Sequence, residues 1–300
     1  MIADRVYTKA SNQNLFAQTK AMLRRFDLSA RKSLGQHFLI NSEALAKIVT
    51  AAEITTDDIV IEVGPGLGVL TRELAKRAGF VVAVELDHKL ATVLKKDLVA
   101  VKNVTVINED ILKIDPAALL AEKRDSILAQ RDKAIDYKVV ANLPYYITSA
   151  VLRHFLEASL KTRLMVVMLQ KAVAESIVAK PGKMSLLSVS IQFYGHPEIV
   201  SYIPAEDFYP PPAVESAILK IDVYPQPPIL VDNIGGFFEL VRAGFCAPRK
   251  QLINSLIQGM GIDKTEVKSL LITAGINYRR RAETLSLAEW QLLWRVFRRK

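Results

Sequence analysis

"IVIEVGPGLGVLTREL", residues 59–74, passes from an apolar, β-branched run through three glycines at alternate positions into a stretch with helical spacing. Ile59 to Val63 suits a strand buried on both faces, because β-branched side chains pack well on a pleated surface. Gly64, Gly66 and Gly68 reach positive φ without steric cost and let a ligand approach the backbone. The segment therefore predicts a strand, a tight turn and a helix. A dinucleotide fingerprint would place its third glycine at position 69, where this chain has valine. The G-x-G-x-G spacing argues against a pyrophosphate in the turn.

Outward from this unit, apolar strand patterns recur at 58–63, 80–85, 103–107, 137–141 and 163–169. Helical patterns lie between them near 69–78, 88–99, 116–131 and 148–160, and "NSEALAKIVTAAEI" (41–54) is helical with Asn41 or Ser42 as its cap. Apolar strands alternating with helices predict an α/β fold with a parallel sheet covered on both faces. The strand patterns 197–204 and 215–223 have no helical pattern between them, which predicts an antiparallel hairpin at one edge. "VYPQPPILVD" (223–232) is proline-rich and reads as a linker, and the rest is helical. Residues 1–31 are polar and mixed in charge and read as a loosely held arm.

Ligands of open parallel sheets bind outside the carboxyl ends of the strands. Two acids stand there. Glu85 ends the second strand, where a carboxylate can accept both hydroxyl hydrogens of a ribose. Asp110 follows the third in "INEDIL", where it can accept from the exocyclic amine of an adenine. With the glycine turn they fit an adenosine carrying a non-phosphate tail, and so S-adenosylmethionine better than NAD.

The fourth strand runs into "VVANLPYYITSA" (139–150). A bland strand-to-helix turn, with Thr148 or Ser149 as cap, accounts for the Pro but not for Asn, Pro and Tyr together. An adenine exocyclic amine is a poor nucleophile, because its lone pair is delocalised into the ring. The Asn142 oxygen and a main-chain carbonyl in Leu143–Pro144 could each accept one of its N–H bonds and hold it in line with a methyl donor. Tyr145 would offer a flat face, and a base in a duplex would have to be flipped out to reach it.

The net charge is +9, and its distribution is informative. Residues 1–41 carry 7 Lys/Arg against 2 Asp/Glu, and 227–300 carry 12 against 6, while the middle carries 21 against 23. "APRKQ" (247–251), "YRRRAE" (278–283) and "RVFRRK" (295–300) concentrate cations in one small segment, as phosphate-backbone binding needs. Cys246 is the only cysteine and excludes an internal disulfide; it reads as a small buried hydrophobe. The four histidines are scattered without metal-ligand spacing, so no metal is expected. No stretch has the ~20 apolar residues of a membrane span, and a cytoplasmic protein is expected.

Together "KSLGQHFL" (32–39), "EVGPGLG" (62–68), "NED" (108–110), "ANLPYYITS" (141–149) and "FYPPPAVESAIL" (208–219) resemble, in order, the rRNA adenine N6,N6-dimethyltransferases. "FCAPRKQLINSL" (245–256) and "RAETLSLAEW" (281–290) resemble the helical domain of the small-subunit branch, the kasugamycin-sensitivity methylases of bacteria. The resemblance implies a Rossmann-like class I methyltransferase domain over 32–226 and a helical RNA-binding domain over 227–300. It also implies dimethylation of two adjacent adenines in the 3′-terminal hairpin loop of 16S rRNA in 30S particles, with a role in ribosome biogenesis. His37 and Leu39 would contact S-adenosylmethionine, Gly64 and Gly66 its methionine part, Glu85 the ribose and Asp110 the adenine. Asn142, Pro144 and Tyr145 would hold the target base, and Phe208 would stack on its other face. His37 stands where many relatives carry Asn, and either can hydrogen-bond. Arg249, Lys250, Arg279, Arg280 and Arg281 are the candidate RNA contacts, and a monomer is expected.

Two other readings compete. One is a 23S rRNA adenine methyltransferase of the antibiotic-resistance type, which shares the catalytic motifs. The other is a non-catalytic RNA-binding assembly or transcription factor, against which the intact glycine turn, Glu85, Asp110 and NLPY speak.

Overall fold

The computed structural model describes residues 2–31, 34–122 and 136–299, with side chains in the first helix from Asn14 onward. The chain divides into two compact units: 1–174 with 198–223, and 175–197 with 224–300.

The first unit begins with helix α1 (Ile2–Arg25), the two-residue strand β1 (Phe38–Leu39) and helix α2 (Ser42–Ala51). Asn41 caps α2, accepting from the amides of Glu43 and Ala44. Strands and helices then alternate as β2 (Ile59–Val63), α3 (Val69–Ala75), β3 (Phe80–Glu85), α4 (His88–Asp97), β4 (Val104–Asn108), α5 (Pro116–Glu122), β5 (Tyr137–Asn142), α6 (Thr148–Leu156) and β6 (Leu164–Gln170). The helical expectation over 116–131 falls partly on residues outside those described. Helix α7 (Lys171–Ile177) and helix α8 (Leu186–Tyr194) follow β6; then come β7 (Gly195–Ile203), β8 (Phe208–Tyr209) and β9 (Ser216–Val223).

Among the described residues, seven strands form one sheet in the order β4-β3-β2-β5-β6-β9-β7. Strands β2 to β6 run parallel, and β9 lies antiparallel to β6, with Met168 opposite Ile218. The order reverses between β2 and β5, so their carboxyl ends open a crevice. Every side chain of β2 and β3 is buried, which is why they read as continuous apolar runs. Lys138 is the second residue of β5 and is 3 % exposed; its ammonium is held by the carbonyls of Ala52 (2.9 Å) and Glu53 (2.6 Å) and by Asp58 (3.0 Å). A charge so buried is tolerable only with such partners. No described helix is long and apolar enough to cross a membrane.

Strand β8 does not join the large sheet. It pairs with β1 in a separate antiparallel ribbon, Phe38 opposite Tyr209 and Leu39 opposite Phe208. The strand period of two gives the ribbon two distinct faces. Leu39 and Phe208 belong to the main core, while Phe38 and Tyr209 belong to a smaller cluster with Leu23 of α1, Leu67 and Leu90. From Asn14 onward the first helix packs on the unit, with Thr19 1 % and Leu23 8 % exposed, so this part of the 1–31 arm is docked rather than loosely held.

The second unit joins residues 175–197 to 224–300, whereas the sequence reads as a single segment from 227 onward. It contains α8, then α9 (Ile234–Phe245), α10 (Leu252–Met260), α11 (Lys264–Thr273) and α12 (Leu287–Phe297). Phe193 of α8 stacks on Phe237 at 5.4 Å, and Trp290 is wholly buried against Phe245. Ser286 and Glu289 form a capping box on α12.

Candidate active site

The crevice at the strand ends is a cavity of the first unit, lined by the 34–39 segment, the glycine turn, Glu85, Leu86, Asp110, Ile111, Asn142 to Ile147 and Phe208. All the catalytic and cofactor-binding candidates named from the sequence line it.

The glycine turn is built as its residues require. Gly64, Gly66 and Gly68 have φ of 66°, 57° and 76°, in the left-handed region. A Cβ on Gly66 would sit 3.3 Å from the Phe38 ring, and one on Gly68 would collide with Leu94. Gly64 lies beside Pro144 and the carbonyl of Asn142, so the turn passes directly under the NLPY segment.

Glu85 is 6 % exposed, and its two oxygens accept from the amides of Gly66 (3.0 Å) and Asp87 (2.8 Å). Burial raises its pKa, against the pull of those amides. Each carboxylate oxygen retains a second lone pair, the number a ribose diol needs. Asp110 caps the short turn Ile111–Lys113 through the Leu112 amide (3.0 Å). Leu86, 49 % exposed, stands at the same strand end as Glu85 and lines the cavity with Ile111. Sequence reasoning missed these apolar faces for an adenine; an apolar residue directly after the strand-ending acid was the available signal.

Asn142 ends β5, and its Nδ2 donates to the carbonyl of His37 at 3.1 Å. That carbonyl can only accept, so the contact fixes which amide atom is nitrogen. Oδ1 has no hydrogen-bond partner among the described residues. The carbonyl of Pro144 accepts from Ile147 N–H at 3.2 Å, beginning a tight turn (Tyr145–Ile147) into α6. Thr148 is therefore not the cap: its hydroxyl faces back to Pro144 and Ile147 holds the N-cap position. The Tyr145 hydroxyl bonds Ser216 Oγ at 2.7 Å, and its ring stacks on His37 with centroids 6.0 Å apart. His37 in turn donates its Nδ1 proton to the carbonyl of Pro210 at 2.7 Å. Phe208 is 2 % exposed, at once a core residue and a wall of the cavity.

Beneath the turn, Glu62 is 1 % exposed and its Oε2 has no hydrogen-bond partner among the described residues. Burial, reinforced by the charge of Glu85, pushes its pKa up to about 8. The carboxyl is poised near neutrality and lines the cavity.

The donor set suits an adenosyl ligand with a charged aliphatic tail. Glu85 matches vicinal hydroxyls, Leu86 and Ile111 match an adenine face, and the glycine turn admits a chain close to the backbone. Asn142 lines the same cavity with its amide nitrogen bound to the His37 carbonyl. No cluster of metal-ligating side chains occurs among the described residues.

In the second unit the basic candidates differ in their surroundings. Arg249 and Lys250 are exposed, and Lys250 donates to Gln258 at 3.2 Å. Arg279 lies 6.0 Å from the Tyr278 ring, which Lys268 also approaches. Arg281 pairs loosely with Glu283 at 3.7 Å. Arg280 differs from its neighbours, because its guanidinium is bound to both oxygens of Glu289 and to Thr284. Cys246 is exposed, not buried as read, with its thiol donating to the carbonyl of Ser255.

The family described as ribosomal RNA adenine dimethylase matches residues 27–293. A Dehalococcoides mccartyi protein named ribosomal RNA small subunit methyltransferase A is 51 % identical over 284 residues, 95 % of this chain and 94 % of that protein. One of the same name from Geobacillus kaustophilus is 41 % identical over 281 residues, 92 % of this chain and 94 % of that protein. Among solved structures, a Plasmodium falciparum dimethyladenosine transferase superposes with a TM-score of 0.72 at 23 % identity, covering 88 % of this chain and 98 % of that one. The 23S rRNA methyltransferase ErmE superposes at 0.66 with 27 % identity, covering 86 % and 98 %.

Proposed function

Because this chain belongs to the ribosomal RNA adenine dimethylase family, we propose that it dimethylates the N6 amines of two adjacent adenines in the 3′-terminal hairpin loop of 16S rRNA within 30S particles. It is an S-adenosylmethionine-dependent rRNA adenine dimethyltransferase with a Rossmann-like catalytic unit. One observation carries the reading of the site: the adenosyl-type donors Glu85 and Asp110 and the amine-holding group Asn142 line a single cavity.

S-adenosylmethionine supplies an electrophilic methyl group on a sulfonium. Glu85 and Asp110 would hold its ribose and adenine, and Gly64 and Gly66 would give its aliphatic part room. The protein's own task is to make a poor nucleophile available. Asn142 Oδ1 accepts one N–H of the target amine. The Pro144 carbonyl already faces two donors, the Ile147 amide and the Thr148 hydroxyl, so the second main-chain acceptor falls to Leu143. Two fixed acceptors aim the nitrogen and draw its lone pair out of conjugation, and positioning of this kind replaces a strong base. Tyr145, held by Ser216 and His37, and Phe208 confine the base plane. After one transfer the amine has a single N–H left, so the second transfer proceeds with one of the two acceptors unused.

The helical unit grips RNA through Arg249, Lys250, Arg279 and Arg281, and the enzyme acts in the cytoplasm as a monomer. Mass analysis of nucleosides from undermethylated 30S particles and, in a separate reaction, from 23S rRNA, each incubated with the protein and labelled S-adenosylmethionine, tests the reaction. Dimethyladenosine in 16S rRNA supports it. Dimethyladenosine only in 23S rRNA, or cofactor and particle binding without transfer, overturns it.

A further inference from the structure

We infer that helix α1 is a positioning element of the methyl-transfer site, setting the pose of the Asn142 amide through the β1–β8 ribbon. The inference rests on the reading of Asn142 as the residue that holds the target amine.

The helix has little amphipathic pattern, yet it docks along a defined line. The Phe16 ring meets Tyr209 edge-on at 5.6 Å and 73°, and the Lys20 ammonium lies 4.2 Å from the Phe16 centroid and 5.4 Å from that of Tyr209. One turn on, Leu23 packs with Phe38, Leu67 and Leu90. Phe38 and Tyr209 are opposite partners in the ribbon, so α1 covers both of its strands from one face.

From there the contacts lead into the pocket. Phe38 presses on Gly66, where a Cβ would meet its ring at 3.3 Å. The preceding residue, His37, is tied across the ribbon to the Pro210 carbonyl, and its own carbonyl holds Asn142 Nδ2. A displaced ribbon thus turns the Asn142 oxygen away from the amine it must accept from. The segment after α1 is fastened as well. Gln36 accepts from the Arg31 amide (2.9 Å) and donates to Asp87 (3.2 Å), which Arg31 also pairs at 3.3 Å and whose amide binds Glu85. Packed cores and ribbons respond to lost support by shifting, and small misplacements of a reacting pair are costly.

Contiguity alone does not establish coupling, so the test is a double-mutant cycle. Phe16→Ala/Leu23→Ala, Asn142→Ala and the combined variant are compared with wild type on undermethylated 30S particles. The helix variant is expected to lower kcat about tenfold while KM for S-adenosylmethionine and for particles stays within about twofold. In the Asn142→Ala background the same helix change is expected to cost less than about twofold, since there is no amide left to aim. Phe16→Leu/Leu23→Met should retain wild-type kcat. An unchanged kcat in the helix variant, or the same tenfold loss with and without Asn142, overturns the inference and leaves α1 a stabilising helix. Should the double alanine variant not fold, Phe16→Ala alone enters the same cycle with the same two criteria. A wild type that transfers no methyl group overturns the reading of the site, and with it this inference.

Discussion

Asn142 donates its side-chain N–H to the backbone carbonyl of His37 at 3.1 Å, leaving its oxygen as the free end of the amide in the cavity. The amide proposed to hold the target amine is thus oriented by main chain from a segment more than a hundred residues earlier. Asn142→Ala removes the acceptor without disturbing Glu85 or the glycine turn. It should lower kcat about a hundredfold and change S-adenosylmethionine affinity less than about threefold. Single-turnover methyl transfer and calorimetric titration separate the two effects, and a loss confined to cofactor affinity would contradict the assignment.

The buried Glu62 gives the fold a pH dependence of defined sign. Its pKa is about 4.5 in the open chain and is raised to about 8 in the folded protein, chiefly by burial. A carboxyl raised on folding stabilises the fold fully below the lower value and loses that contribution as pH rises to the upper one. The loss is on the order of a few kcal/mol. Glu62→Gln should remove this slope and be the more stable protein at about pH 9. Thermal unfolding of both across this range decides it, and parallel profiles would place the titration elsewhere.

Gly68 caps α3 with φ of 76° and has no room for a side chain beside Leu94. Gly68→Ala combines a strained backbone with an overpacked contact and should cost about 2–4 kcal/mol of stability. Urea unfolding measures it, and a change under about 1 kcal/mol would mean that Leu94 yields freely.

The basic cluster at 279–281 should split by position. Arg280 is engaged by Glu289, whose pKa is lowered by that hydrogen bond, so the pair stabilises at neutral pH and weakens as the carboxylate protonates in acid. Arg280→Ala should cost about 1 kcal/mol of stability. Arg279→Ala/Arg281→Ala should leave stability alone and reduce the salt dependence of RNA binding by about one or two counterions. Filter binding across a salt series, with melting curves, distinguishes the two behaviours.

Much of the first unit is legible in the sequence because its strands are doubly buried: "IVIEV" and "FVVAVE" admit few other readings. The candidate groups at strand ends are legible for a related reason, since Glu85 and Asn142 each break an apolar run with a polar group and Asp110 closes the polar "NED" that ends another. Helix α8, "LLSVSIQFY", escapes because six of its nine residues are buried, two serines among them, and no polar face marks its period. Helix α1 misleads in the opposite way: its polar composition suggests solvent, while a few side chains, Phe16, Thr19 and Leu23 among them, do the docking. Arg280 and Arg281 are identical neighbours in sequence, and only the position of Glu289 one helix later separates their roles. The β1–β8 ribbon has two residues per strand and carries no periodic signal at all.

That ribbon also orders events during synthesis of the chain. His37 and Pro210, which it joins, are 173 positions apart. The glycine turn, Glu85, Asp110 and Asn142 have all been translated well before the second strand of the ribbon exists. Closing so long a loop is the most demanding step in assembling the pocket. The wall that carries Phe208 is therefore the last part of the pocket to be made, and a nascent chain holds every other side of the cavity before it can close this one.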